Sequence, residues 1–275
     1  MKKSNNTAAA LAAVLLLTGV SCTVKEDRSG CPSYVTVNVD GFIRKGFNDG
    51  TVTIRTVRIA EQSALNLLEY LGDGYTTSVP RAPACVSVVS GLDRCAPRDG
   101  GGLLAAPDGV SFDPVWAYSE DFVPVGDDYL VEAMPHKQYC TVRFRLVDVE
   151  DPLAYPFVFR LRAATRGMDI LTLAPAGDGY VTTVRSNVLG EFTGILPRQA
   201  ENNMLLDVVL PDSDPAGEGE VYYTVDLGKK FEQMGYDWAK EDLDDIEVTV
   251  NFACADVEVR IIGWDRDDSY TDVEI

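Results

Sequence analysis

His136 and Cys140 stand four residues apart, a separation that suggests a thiol–imidazole pair. Cys140, however, falls on the apolar stripe of an alternating segment, and His136 sits beside Pro135 where that pattern breaks. They read as a buried thiol and a linker histidine. The acidic runs Asp242-Leu243-Asp244-Asp245 and Asp265-Arg266-Asp267-Asp268 offer oxygens of the kind calcium takes. Neither run has a central glycine and a terminal glutamate in register, so both read as charged turns. Gly100-Gly101-Gly102 and the Gly-Asp-Gly turns lack the spacing of a phosphate-binding loop, and no Gly-x-Ser-x-Gly elbow occurs. A glycosidase pair of carboxylates is not decided by sequence, because 43 acidic residues are on offer. Tyr75, Trp116, Tyr118 and Trp238 have the chemistry to stack on sugars, as in a surface glycan-binding protein; a core role is the plainer reading. The chain holds a single histidine, which excludes multi-histidine metal centres. No catalytic residue, cofactor site or metal site is expected. A formal charge of −19 argues against nucleic acid as a partner, since phosphate binding needs a basic face.

The first 21 of the 275 residues read as an address rather than as fold. Lys2 and Lys3 form a cationic start, and the apolar run Ala8–Leu17 is ten residues long. A membrane-spanning helix needs roughly 20 apolar residues, so this run fits a secretory leader better. Gly19-Val20-Ser21 then precede Cys22, which resembles a bacterial lipoprotein signal with Cys22 as the acylated first residue. Lys25, Glu26 and Asp27 resemble the surface-export tag of Bacteroidota lipoproteins. Losing Lys2 and Lys3 takes the formal charge to −21. A body that acidic is expected to stand away from anionic lipid, held only by its acyl chains.

Beyond residue 30 the chain reads as β-structure. Val35, Val37 and Val39 alternate with Thr36, Asn38 and Asp40, the period of a half-buried strand, and a first strand is expected over 34–43. The same period recurs at 139–147, 157–163, 246–254 and 257–261, with shorter candidates at 51–59, 85–89, 129–133, 180–185, 205–210 and 221–226. Many short strands separated by Gly/Asp/Pro turns indicate antiparallel sandwiches. Two helices are expected: Glu61–Leu71, and Leu227–Met234 capped by Asp226 and Gly235. Met134-Pro135-His136 marks a boundary. The organisation is then a leader (1–21), a tether (22–30), a first sandwich (31–135) and a second (136–275).

The run Glu26-Asp27-Arg28-Ser29-Gly30-Cys31-Pro32 after a lipid cysteine and before a strand resembles the fimbrillin-associated anchor (FimB-type) family of Bacteroidota lipoproteins. Leu227-Gly228-Lys229-Lys230-Phe231, Gly235-Tyr236-Asp237-Trp238 and the strand from Asp245 agree, with a terminal strand ending near Trp264. The resemblance implies an all-β fold of two tandem transthyretin-like sandwiches. It implies a cell-surface fimbrial (pilus) subunit at the outer membrane, an anchor or accessory component that supports adhesion. Its implied partners are other fimbrial subunits, joined by strands added to open sheet edges. The candidate donor segment is Ser269–Ile275. The resemblance also makes Arg44, after the first strand, a candidate protease site; cleavage there would remove Cys22 and convert an anchor into a stalk subunit.

With Cys22 acylated, Cys31, Cys85, Cys95, Cys140 and Cys254 remain, an odd number in an exported protein that permits disulfides. Cys85 and Cys95 flank a turn-rich segment. Cys140 and Cys254 both face the second core and would pair only if their strands are neighbours. Connectivity is open at this stage.

Overall fold

The alternation at the start of the body is realised: Val35, Val37 and Val39 are completely buried, Thr36 and Asn38 between them are half-buried, and Tyr34 before them is exposed. The computed structural model describes residues 30–70, 74–98, 102–147, 149–187, 189–213, 219–251 and 256–262. No helix among the described residues is long and apolar enough to cross a membrane.

Strand β1 (Ser33–Asn38) leads into a short helix α1 (Asp40–Arg44). The hairpin β2 (Asp49–Thr56) and β3 (Ala60–Asn66) follows, then a 3-10 turn at Leu67–Tyr70, β4 (Tyr75–Val79) and β5 (Ala84–Ser90). The chain then leaves this half for β6 (Ala96–Arg98) and β7 (Leu103–Ala105). It returns for β8 (Trp116–Phe122), β9 (Asp128–Glu132) and β10 (His136–Lys137). The other half is built from β11 (Tyr139–Val147), β12 (Val158–Asp169), β13 (Pro175–Val184), β14 (Phe192–Pro197), β15 (Leu205–Leu210) and β16 (Glu220–Asp226). Helix α2 (Leu227–Met234), β17 (Asp245–Asn251) and β18 (Asp256–Ile262) complete it.

These strands make an all-β protein of sandwiches. In the first, a three-stranded sheet β4-β1-β9 faces a five-stranded sheet β10-β8-β5-β2-β3. Between them lies a core of Val35, Val37, Phe42, Val52, Ile54 and Val86 with their neighbours. In the second, the sheet β14-β11-β17-β18 faces β16-β15-β12-β7-β6, with β13 on the free side of β12. Leucine, valine and aromatic side chains fill that core, and Phe144 stacks on Phe159 at 4.4 Å. Each such side chain contributes about 1.5–3 kcal/mol when fully buried. The sheets are antiparallel except at two places: β1 runs parallel to β9, and β11 runs parallel to β17. The sheets β4-β1-β9 and β14-β11-β17-β18 thus each have their first strand held between one antiparallel and one parallel neighbour.

The two halves are interwoven. β6 and β7 precede residue 135 in sequence but extend the sheet of the second sandwich, where β7 pairs with the end of β12. Leu104, Phe112 and Val115 are completely buried in the second core, while β10, from beyond residue 135, pairs with β8 in the first. Gly167 permits this crossing, because a Cβ there would sit 1.9 Å from the Leu104 carbonyl oxygen.

Helix α2 lies where its caps place it. The Asp226 carboxylate accepts the Lys229 N–H at 3.0 Å, and Gly235 closes the other end in the left-handed region. The helix expected at Glu61–Leu71 does not form. Residues 60–66 pair with β2 over seven positions, and only Leu67–Tyr70 turn helically. The leucine spacing is helical, but the long-range ladder of a sheet edge outweighs local propensity. The first strand is also shorter than expected: it ends at Asn38, and residues 40–44 form α1.

Candidate assembly surface around the first strand

Strand β1 occupies the centre of its sheet. It pairs with β4 from Ser33↔Val79 to Val37↔Tyr75 and with β9 from Tyr34↔Asp128 to Asn38↔Glu132. Side chains reinforce both seams. The Thr36 and Thr76 hydroxyls meet at 2.9 Å, and the Asn38 amide donates to Glu132 at 2.9 Å. The Ala133 N–H donates to the Asn38 carbonyl at 2.9 Å, extending the parallel seam by one residue.

The segment after β1 folds back onto that seam. The Asp40 N–H donates to the Asn38 side-chain oxygen at 2.9 Å, turning the chain into α1. Gly41 packs so tightly on the Ala133–Pro135 segment that a Cβ would lie 2.7 Å from the Ala133 oxygen. Phe42 is fully buried and meets Phe47, which in turn meets Trp116, each pair of rings 6.2 Å apart. Arg44, the candidate protease site, is exposed in the last turn of α1 and donates to the Asp40 carbonyl at 3.3 Å. The bond after Arg44 is therefore reachable, yet Val39, Gly41 and Phe42 just before it are buried. Release of residues before 45 would open a slot between β4 and β9 lined by unpaired backbone groups.

Other sequence-selected residues lie elsewhere. Cys22, Lys25, Glu26, Asp27, Cys254, Asp265–Asp268 and Ser269–Ile275 lie outside the described residues. Cys31, Cys85, Cys95 and Cys140 are all free thiols. Cys31 is exposed at the chain's entry to β1. The Cys85 thiol faces Ser119 at 3.5 Å and donates to the Leu171 carbonyl at 3.4 Å, which spends it on the contact between halves rather than on Cys95. Cys95 lies in the other core, and burial pushes its thiol up to about 12. Cys140 faces the second core, again pushed up to about 12 by burial.

His136 and Cys140 are not brought together. The His136 ring nitrogens lie 3.4 Å from Asp242 and 3.1 Å from Glu241, while the Cys140 thiol donates to the Thr141 carbonyl at 3.7 Å. The acidic run 242–245 is neither a calcium loop nor a free charged turn. Asp242 accepts the Lys137 N–H at 2.7 Å, and Asp245 takes both the buried Lys137 ammonium at 2.5 Å and the Thr141 N–H at 2.7 Å. Arg198, also buried, reaches the carbonyls of Trp238, Lys240 and Glu241. Sequence reading passed over Lys137 and Arg198: Lys137 is one of the two residues of β10, Arg198 follows β14, and nothing local marks either as buried. No group of three or more metal-ligating side chains gathers among the described residues.

The four aromatics with sugar-stacking chemistry do not form a platform. Trp238 is buried and donates to Asn202 at 2.8 Å, Trp116 packs edge-on against Tyr139, and Tyr75 and Tyr118 are tied to Glu61 and Glu120 at 2.7 Å each.

No family model matches the sequence, and no curated protein sequence matches it. Solved structures do share the fold. A candidate adhesin from Bacteroides ovatus superposes with a TM-score of 0.56 at 9% identity, covering 85% of this chain and 94% of that one. A candidate adhesin from Bacteroides thetaiotaomicron gives 0.55 at 10% identity, covering 85% and 97%. The fimbrial anchor protein Mfa2 from Porphyromonas gingivalis gives 0.53 at 13% identity, covering 85% and 98%, so the chain has the fold of a fimbrial anchor over nearly that protein's whole length.

Proposed function

We propose that this chain is a lipid-anchored, non-catalytic subunit of a cell-surface fimbria, its anchor or accessory component, joined to its neighbours by β-strand addition and supporting adhesion. The observation that carries the reading is the position of β1 at the centre of its sheet, downstream of a lipoprotein-type cysteine. A strand so placed works in two ways. Kept, it ties the acyl-bearing terminus to ten backbone registrations, five on each side. Lost, it would leave a slot shaped for a strand from another subunit, in which backbone hydrogen bonds give affinity and alternate side chains give register. The shared fold with a fimbrial anchor supports the first of these, with Cys22 acylated and Arg44 uncut.

The test is intact-mass and N-terminal analysis of the protein taken from cells. An acylated terminus at Cys22 is expected. A terminus at Lys45 would make it a stalk subunit, and an unmodified Cys22 would remove the lipid anchor from the proposal.

A further inference from the structure

The end of the first sandwich at which the chain enters is built from connections. Gly30–Pro32, the β2–β3 turn, the β4–β5 turn and the β8–β9 loop meet there. A cavity of about 610 Å³ lies between the entering chain at Cys31 and the turns at Val57 and Arg81. A second hollow lies between Val57 and Val123.

This tip carries exposed apolar side chains that the turns themselves do not require. Val57 is 87% exposed, Val125 82% and Val123 50%. Single exposed valines are ordinary, but here they project together from adjacent loops at one end. Arg55 and Arg58 flank them, both exposed. Of the nearby acids, Asp127 is taken by Arg81, which leaves Asp121 and Asp128 against the two free arginines. The tip is therefore apolar and close to neutral on a chain of charge −19.

We propose that this tip docks on the lipid bilayer, with Val57, Val123 and Val125 in the headgroup–acyl boundary and Arg55 and Arg58 toward the phosphates. The inference rests on the acylation of Cys22 proposed above. Seven residues separate Cys22 from Gly30, so the eight steps between them span at most about 29 Å fully extended. An acylated Cys22 thus holds this end within a short reach of the membrane. Tethering at that distance raises the effective concentration of the tip at the surface, so weak apolar contacts suffice to seat it. The acidic remainder of the body is repelled by anionic lipid and points outward. The sequence expectation that the whole body stands clear of the bilayer then holds for all of it except this tip.

The test places a tryptophan at the tip. The mature chain, with a histidine tag in place of Cys22, is held on phosphatidylcholine vesicles by a nickel-chelating lipid, so that tethering does not depend on acylation in cells. Val125→Trp is compared with Leu189→Trp, whose site is exposed on the loop between β13 and β14. Lipid brominated in its acyl chains is expected to lower the added emission of Val125→Trp by about half, as for a side chain at the acyl boundary, and to leave Leu189→Trp unchanged. Equal emission from both sites on brominated and plain vesicles would overturn the proposal. So would a dimer in sedimentation that Val125→Asp dissociates, because the tip would then be a contact with a second copy. Failure of Cys22 acylation is read separately, by intact mass.

Discussion

Val37 of β1 lies opposite Val131 of β9 in parallel register, and both are excluded from water. The second sandwich repeats the relationship, with Phe144 of β11 opposite Val248 of β17. A parallel pair cannot be made by a hairpin, so each sandwich is closed only when a late strand reaches its first one. β1 and β11 are therefore the keystones of their sheets, and β1 is also the first of the described strands. Val37→Ala is expected to lower stability by about 2 kcal/mol, from lost burial plus a cavity. A urea titration should show a lower midpoint with an unchanged slope.

The Lys137–Asp245 pair sits between the halves with its ammonium almost fully buried. Asp245→Ala would leave that charge without its carboxylate and strip the Thr141 N–H of its acceptor. A loss of about 3–5 kcal/mol is expected. Adding Lys137→Met to Asp245→Ala should restore much of it, and a double-mutant cycle reads the coupling directly.

Asp113 staples the segment that crosses between halves. One of its oxygens accepts the N–H groups of Asp93, Arg94 and Cys95 at 2.9, 2.8 and 2.6 Å. Burial alone would lift this carboxyl, but the three backbone donors hold it below the ordinary carboxylate value. Asp207 behaves alike: burial opposes ionisation, and hydrogen bonds from Arg162 and Thr224 outweigh it. A depressed folded value means stability that is present above the unfolded pKa of about 3.9 and is lost as pH falls through the folded one. Thermal unfolding between about pH 5 and pH 2 should show a steep acid-side loss. In Asp113→Asn that loss should be shallower and the neutral-pH stability lower.

Thiol reactivity should follow exposure. Cys31 is open to solvent, Cys85 is half-buried, and Cys95 and Cys140 are enclosed with thiols pushed up to about 12. The thiolate is the reacting species, so a neutral-pH alkylating reagent should mark Cys31 in the native protein and reach Cys95 and Cys140 only after unfolding. Peptide mass mapping with and without denaturant checks the order.

Gly167→Ala should be disruptive out of proportion to one methyl group, because the β12 backbone there touches β7. Either strand must move, and a loss of about 1–3 kcal/mol is expected from overpacking. Since β7 is carried by the crossing segment, hydrogen exchange should rise first at Leu103–Ala105.

Strands whose own residues carry the period were legible in the sequence. β11 and β15 begin and end where alternation places them, and α2 does the same because Asp226 and Gly235 signal its ends. Segments defined by a distant partner were not. β3 is an edge strand with polar outward positions, and only its ladder with β2 distinguishes it from a short helix. β6 and β7 are three residues each, and nothing local says that they belong to the other sandwich. Around the candidate assembly surface, β1 was readable from its valines, and Arg44 only through the family resemblance. That Arg44 ends a helix packed on the segment just after β9 follows from Gly41 meeting Ala133, a contact invisible along the chain. The acidic run at 242–245 was visible, but only the fold shows that it holds the buried Lys137.

The central claim is that this chain holds a fimbria to the cell. The most direct measurement removes it from its own cells and follows the fibres by electron microscopy and by fractionating cells from medium. Fibres released into the medium are expected, with retention restored by the intact chain and not by a Cys22→Ala variant that is made and folded. Fibres that stay on the cell in the same number and length without this chain would contradict the claim.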